Sequence, residues 1–148
     1  MRYLAVDLGD ARTGLATGDD ETRLAGPAGL ITVPRKATEE LLRQLVKAIR
    51  DHQAEVVVLG LPLNMDGTEG PRVKLTRAFG EQLAAASGAE IRYHDERLTS
   101  VEADWRMAGS GLTHKQKKQR RDALAAAALL EDYFASHDHS QPKPDPDE

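Results

Sequence analysis

The 148-residue chain carries 20 Lys and Arg against 24 Asp and Glu, a net charge of −4, and is 40% hydrophobic, enough for one domain that buries roughly two-thirds of its unfolded surface. It has no cysteine, which excludes disulfides, thiolate zinc sites and thiol catalysis. No apolar run approaches a membrane span, and Met1-Arg2-Tyr3 leads straight into a strand, so a soluble cytoplasmic protein without a membrane partner is expected.

Tyr3 to Leu8 is an almost unbroken apolar run, as in a central strand covered on both faces. Asp7 falls inside it, and a buried charge needs a partner or a metal. Gly9 and Gly14 bracket a tight turn, and 13–18 returns as a second strand. Leu24 to Val33 reads as a third strand, loosened by Gly26, Pro27 and Gly29 into an edge strand or a bulge. Thr38 is an expected N-cap, followed by Glu39 and Glu40 in the first turn. Leu42, Leu45, Val46 and Ile49 then form a core stripe at helical spacing.

Glu55 to Leu59 is a buried parallel-type strand, which with the preceding helix makes a β-α-β crossover. A turn-rich loop, Gly60 to Gly70, leads to Pro71 at the first position of a helix with Leu75, Phe79 and Leu83 on one face, stopped by Gly88. Ile91 to His94 is a further strand ending in Asp95-Glu96-Arg97. Thr99 or Ser100 can cap a short helix through Val101, Ala103 and Trp105 to Met107, and a last helix is expected from Asp122 to Phe134. The order β-β-β-α-β-α-β-α describes a mixed α/β sheet with flanking helices.

Charge is unevenly placed. Residues 137–148 hold Asp138, Asp145, Asp147 and Glu148 against Lys143, leaving a net −1 on the rest. That stretch has nothing to bury and reads as a disordered acidic tail behind a domain of residues 1–136. Lys115, Lys117, Lys118, Arg120 and Arg121 form a run without an acid, either a phosphate footprint or a solvated loop.

Asp7, the pair Asp95-Glu96 and Asp122 each stand at the terminus of an expected core element, and in open α/β sheets functional residues gather at the carboxyl ends of strands. Asp122 shares a helical face with Ala126, Leu129 and Tyr133, so it points at the sheet. Plain structural roles serve each acid as well: a turn cap for Asp7, a surface ion pair for Asp95-Glu96, and an N-cap or first-turn acid for Asp122. Together, without cysteine or clustered histidine, they suggest an all-oxygen site suited to Mg²⁺ or Mn²⁺. Two such ions can activate water and stabilise the leaving oxygen in phosphodiester hydrolysis.

Four segments in register carry a resemblance: Asp7-x-Gly9-x-x-Arg12-x-Gly14-x-Ala16, Gly60-Leu-Pro-Leu-Asn64-Met-Asp66-Gly67-Thr-Glu69, His94-Asp95-Glu96-Arg97-Leu-Thr99-Ser100-Val-Glu102-Ala103, and Asp122 ahead of an Ala-rich helix. The chain, over about residues 2–135, resembles the YqgF (RuvX) family of bacterial RNase H-like proteins. The resemblance implies an RNase H-like fold with a five-stranded sheet, three antiparallel strands followed by two parallel ones. It implies acidic catalytic and metal-binding residues at Asp7, Glu96 and Asp122, choosing Glu96 where strand alternation alone cannot separate it from Asp95. Members are described as nucleases maturing the 5′ end of 16S rRNA precursor, and as relatives of the Holliday junction resolvase RuvC. RuvC-type sites carry a fourth acid one turn into the last helix, where this chain has Leu124, Ala125 and Ala126.

Arg12 is then a phosphate clamp or a charge partner of Asp7, with a slight preference for the latter. Asn64, Arg97 and the basic run from Lys115 to Arg121 are candidate nucleic-acid contacts. His94 is expected to hydrogen-bond to the sheet, and His137 to lie in the tail. Pre-16S rRNA is the leading substrate, branched DNA the alternative, and a non-catalytic RNA-binding assembly factor the lesser one. Either a monomer or a weak homodimer suits these roles, since cutting two strands symmetrically calls for an isologous pair.

Overall fold

The computed structural model describes residues 1–97 and 114–137, with the side chains of 114–121 outside that description. Five strands, β1 (Arg2–Leu8), β2 (Thr13–Asp19), β3 (Ala25–Ile31), β4 (Val56–Leu61) and β5 (Glu90–Asp95), form one sheet in the order β3-β2-β1-β4-β5. The pairs β1–β2 and β2–β3 are antiparallel; β1–β4 and β4–β5 are parallel. Three helices accompany them: α1 (Thr38–Asp51), α2 (Pro71–Ser87) and α3 (His114–Ser136).

The two-residue alternation of a strand divides the core between the faces. Leu4 and Val6 of β1, with Val57 and Leu59 of β4, pack on Leu41, Leu45 and Ile49 of α1 and on Phe79 and Leu83 of α2. Tyr3, Ala5, Val56 and Val58 pack instead on Ala126, Leu129, Leu130, Tyr133 and Phe134 of α3. β1 therefore has cover on both sides, and its residues 3–6 are buried. The Ala run of α3 keeps that helix low on the sheet. So does Gly14, where a Cβ would collide with the main-chain carbonyl of Asp122.

The bulge expected from the glycines and proline of β3 is present. Leu15 pairs with Gly29 but Ala16 with Pro27, so Ala28 is the extra residue, and Gly29 has φ +126°.

Several local expectations change. β3 begins at Ala25, and Leu24 is 73% exposed. The N-cap of α1 is Ala37 without a side-chain bond, because the Thr38 hydroxyl turns back to donate to the Arg35 carbonyl at 3.5 Å. The buried stripe of α2 is Val73, Thr76, Phe79, Gly80 and Leu83. Leu75 lies off it, 61% exposed, because Thr76 and Gly80, neither read as apolar, occupy core positions at helical spacing. Finally, α3 starts at His114, so the main chain of the basic run is already helical. Lys115, Lys117, Lys118, Arg120 and Arg121 as phosphate contacts lie outside the described side chains, as do the short helix with Thr99, Ser100 and Trp105, and the tail from 138 onward, outside the described residues.

Candidate active site

Asp7 is the last-but-one residue of β1 and follows Tyr3 and Ala5 onto the α3 face of the sheet. β5 settles the neighbouring pair of acids. Arg92 reaches the hydroxyl of Tyr133 at 2.7 Å, and His94 meets Asp132 of α3 at 2.6 Å, so Arg92, His94 and then Glu96 share the α3 face. Asp95 points the other way and is held by Arg97, through Nε at 2.8 Å and a terminal nitrogen at 2.7 Å. The Glu96 amide continues the β4–β5 ladder by donating to the Leu61 carbonyl at 3.3 Å. Gly60 of β4 leaves room between the two strands, since a Cβ there would collide with the Glu96 carboxyl and crowd Leu129.

Asp7 and Glu96 are thus brought together in a buried place. Burial raises both carboxyls above their ordinary range, and Asp122's negative charge raises Asp7 further. Glu96 is pushed up to about 9, by burial first and then by the charge of Asp7. The two groups share one hydrogen bond, with protonated Glu96 donating to Asp7. Like charges at close quarters cannot both ionise, so the pair keeps a proton at neutral pH.

Asp122 is the ninth residue of α3 rather than its cap, which removes the N-cap and first-turn explanations. Its carboxylate Oδ2 lies 3.0 Å from Arg12 Nε. Arg12 is therefore the charge partner of Asp122 and not of Asp7. Arg12 sits in the β1–β2 turn, where the Gly9 amide donates to the Arg12 carbonyl at 2.9 Å, and the close approach of α3 over Gly14 sets Asp122 beside it. The ion pair is not aligned for a hydrogen bond, and Arg12 Nε and the Thr13 hydroxyl are both buried without one. Such groups cost free energy in a low-dielectric site and concentrate where function requires them.

Asn64 and Arg97 have structural duties. The Asn64 amide donates to the Thr68 hydroxyl at 3.0 Å, and the Gly67 N–H to the Asn64 carbonyl at 2.8 Å. Arg97 also donates to the Met65 carbonyl at 3.1 Å, tying that loop to the end of β5. Two cations that sequence reasoning missed exert their charge on Glu96: Arg35 and Arg72. Arg35 is anchored to the Thr76 hydroxyl at 2.9 Å, and Arg72 to Asp10 at 2.5 Å. The signal available for both was position, each directly following a proline that ends or begins an element at this end of the sheet. His94 departs from expectation too, pairing with a helix carboxylate, while His137 stacks on Tyr133 at 4.1 Å between ring centres.

The donor set suits a hard divalent ion in part. Asp7 and Glu96 offer adjacent buried oxygens whose mutual repulsion a cation would relieve. Asp122 stands near enough for its charge to act on Asp7, yet its carboxylate is given to Arg12. Among the described residues, no three His, Asp or Glu side chains form a group ready to hold a metal.

This architecture aligns with the Thermus thermophilus RuvC bound to its Holliday junction substrate, with a TM-score of 0.59 at 14% identity over 95% of this chain and 98% of that one. The fold is therefore the RNase H-like α/β fold that RuvC also has. A family model described as RuvX, Holliday junction resolvase, matches residues 1–136, and the chain belongs to that family. A relative from Anaeromyxobacter sp. (strain K), named "Putative pre-16S rRNA nuclease", is 43% identical over 90% of this chain and 96% of its own length. One of the same name from Lactococcus lactis subsp. lactis is 35% identical over 92% and 95%.

Proposed function

We propose that this protein is a divalent-metal-dependent nuclease that hydrolyses phosphodiester bonds at the 5′ end of 16S rRNA precursor in the cytoplasm. The carrying observation is the pairing of the buried Asp7 and Glu96 carboxyls at two strand ends, with Gly60 leaving room for the second. A fold gains nothing in stability from two apposed buried acids. A hard divalent ion gives such a pair a use, because it relieves the repulsion between the two carboxylates and can activate a water beside them. A relative at 43% identity and another at 35% carry the rRNA-nuclease name, which supports the substrate.

Asp7 and Glu96, with Asp122, would hold Mg²⁺ or Mn²⁺, two ions in the fullest form of the site; bound there, the metal supplies an activated water and charge stabilisation at the leaving oxygen. Arg12 competes for Asp122 and, once released, is placed to meet a phosphate oxygen. Arg35 and Arg72 add positive potential at Glu96, favouring approach of an anionic backbone. Gly60 keeps the space into which the Glu96 carboxyl fits.

A second reading, endonuclease action on branched DNA, is favoured by the description of the matching family model. The discriminating experiment sets a 5′-extended 16S precursor beside a four-way DNA junction, each with Mn²⁺ or Mg²⁺ and with Asp7→Asn as control. Cutting of the RNA alone, lost in the variant, is the expected result. Paired symmetric nicks in the junction would move the assignment to the resolvase and require two copies acting together. Equal cutting by Asp7→Asn would overturn the site itself.

A further inference from the structure

On the opposite face of the sheet, but at the same end, α1 and α2 diverge around a cavity of about 610 Å³. Its apolar wall comes from α2: Leu75, Ala78 and the accessible remainder of Phe79. Arg35, Lys36 and Thr38 supply the rim on the α1 side. Leu75, 61% exposed, is a large apolar side chain with a wall of this cavity as its surroundings. The volume lies within the roughly 300–1,000 Å³ typical of small-molecule sites.

The cavity borders the end of the sheet where Asp7 lies, because Asp10, in the turn that follows Asp7, is among its lining residues. Arg35 lines it, donates to Thr76 at 2.9 Å, and exerts its charge on Glu96. Asp10 closes it toward the β1–β2 turn, its carboxylate neutralised by Arg72 and its carbonyl accepting the Arg35 amide at 2.9 Å. Arg35 thus acts on Glu96 by its charge and also faces an apolar cavity with polar edges. One chemical unit combines an anion with an adjoining flat apolar face and a polar rim: an unpaired nucleotide.

Resting on the nuclease reading, we propose that this cavity seats an unpaired base of the substrate strand beside the cleavage site, with Arg35 and Lys36 on its phosphate and Leu75, Ala78 and Phe79 against its ring. A base stacked within a duplex cannot enter, so the cavity selects single-stranded or extruded nucleotides over continuous duplex.

The test uses the full-length protein carrying Asp7→Asn, which removes cutting, and a short single-stranded RNA in which one 2-aminopurine is moved along the strand. The same sequence fully paired is the comparator. The expected result is an emission change at one position only. Ala78→Trp, at an exposed position of α2, fills the slot; it abolishes that signal and weakens single-strand binding about ten-fold, with duplex binding and melting temperature unchanged. Leu75→Ala gives a smaller loss in the same direction. Emission that changes equally along the strand would overturn the proposal. So would an Ala78→Trp protein that binds single-stranded RNA as tightly as the parent, the outcome also expected of a groove serving a protein partner. Failure of the nuclease reading is distinguishable: the unsubstituted protein, with Asp7 intact, then cuts neither substrate with Mn²⁺, while the position-specific signal and its loss in Ala78→Trp persist.

Discussion

Beneath the N-terminal half of β1, Arg92 donates to the hydroxyls of Tyr133 at 2.7 Å and Tyr3 at 3.3 Å, and pairs with Glu90 at 2.8 Å. His94 joins Asp132 at 2.6 Å. At the other end of the same strand, under the same helix, Asp7 and Glu96 divide one proton, and Arg12 meets Asp122 without hydrogen-bond alignment. Both ends bury polar groups against α3. One end satisfies them from within the chain, which fixes the helix on the sheet. The other brings two acids together in a buried place beside a misaligned ion pair, an arrangement that concentrates at functional sites.

The largest effect that follows is on Asp7. Asp7→Asn should lower cleavage of the RNA precursor about a thousand-fold or more, while its melting temperature equals or exceeds that of the parent, because a costly buried charge is gone. A melting temperature well below the parent would break the contrast, making Asp7 a structural residue. Gly60→Ala comes next. Its Cβ displaces the Glu96 carboxyl and presses on Leu129, so activity should fall about a hundred-fold with a stability loss of about 1–3 kcal/mol by denaturant titration.

At the satisfied end the order of effects reverses. Tyr133→Phe leaves Arg92 short of an acceptor and should cost about 1 kcal/mol of stability with cleavage unchanged. Loss of cleavage without loss of stability would erase the division between the two ends.

Glu96 gives a distinctive effect, read as a pH slope of stability rather than as a loss of activity. In the folded protein without metal it keeps its proton up to about pH 9, whereas its ordinary value is 4.5. Folding therefore takes up a proton between those values, and stability falls as pH rises through that window. The parent should melt on the order of 5 °C lower at pH 9 than at pH 6. Glu96→Gln should flatten that slope, and an unchanged slope would relocate the proton to another group.

Much of this was legible in the chain. The apolar run around Asp7, the glycine-bracketed turn behind it and the loosened third strand follow from short-range rules, and the sheet is built from them. Strand alternation alone did not tell Asp95 from Glu96, which only the family resemblance favoured, because the choice depends on the face β5 presents to α3, set by Arg92 and His94 meeting residues some forty positions away. The partner of Arg12 escaped for the same reason: Gly14 lets α3 descend on β2, and nothing local to Arg12 announces Asp122. Arg35 and Arg72 look like ordinary surface arginines until the crossover helices carry them to the strand ends. Leu75 reads as a core residue because a buried Thr76 and Gly80 do not look apolar in sequence.

The most direct measurement of the central claim is calorimetric titration of Mn²⁺ into the metal-free protein at pH 7, in buffers of different ionisation enthalpy. An acid pair that holds one proton and receives a divalent ion releases about one proton on binding; Asp7→Asn should bind far more weakly and release little. Equally tight binding by Asp7→Asn, with no proton released by either protein, would contradict the site.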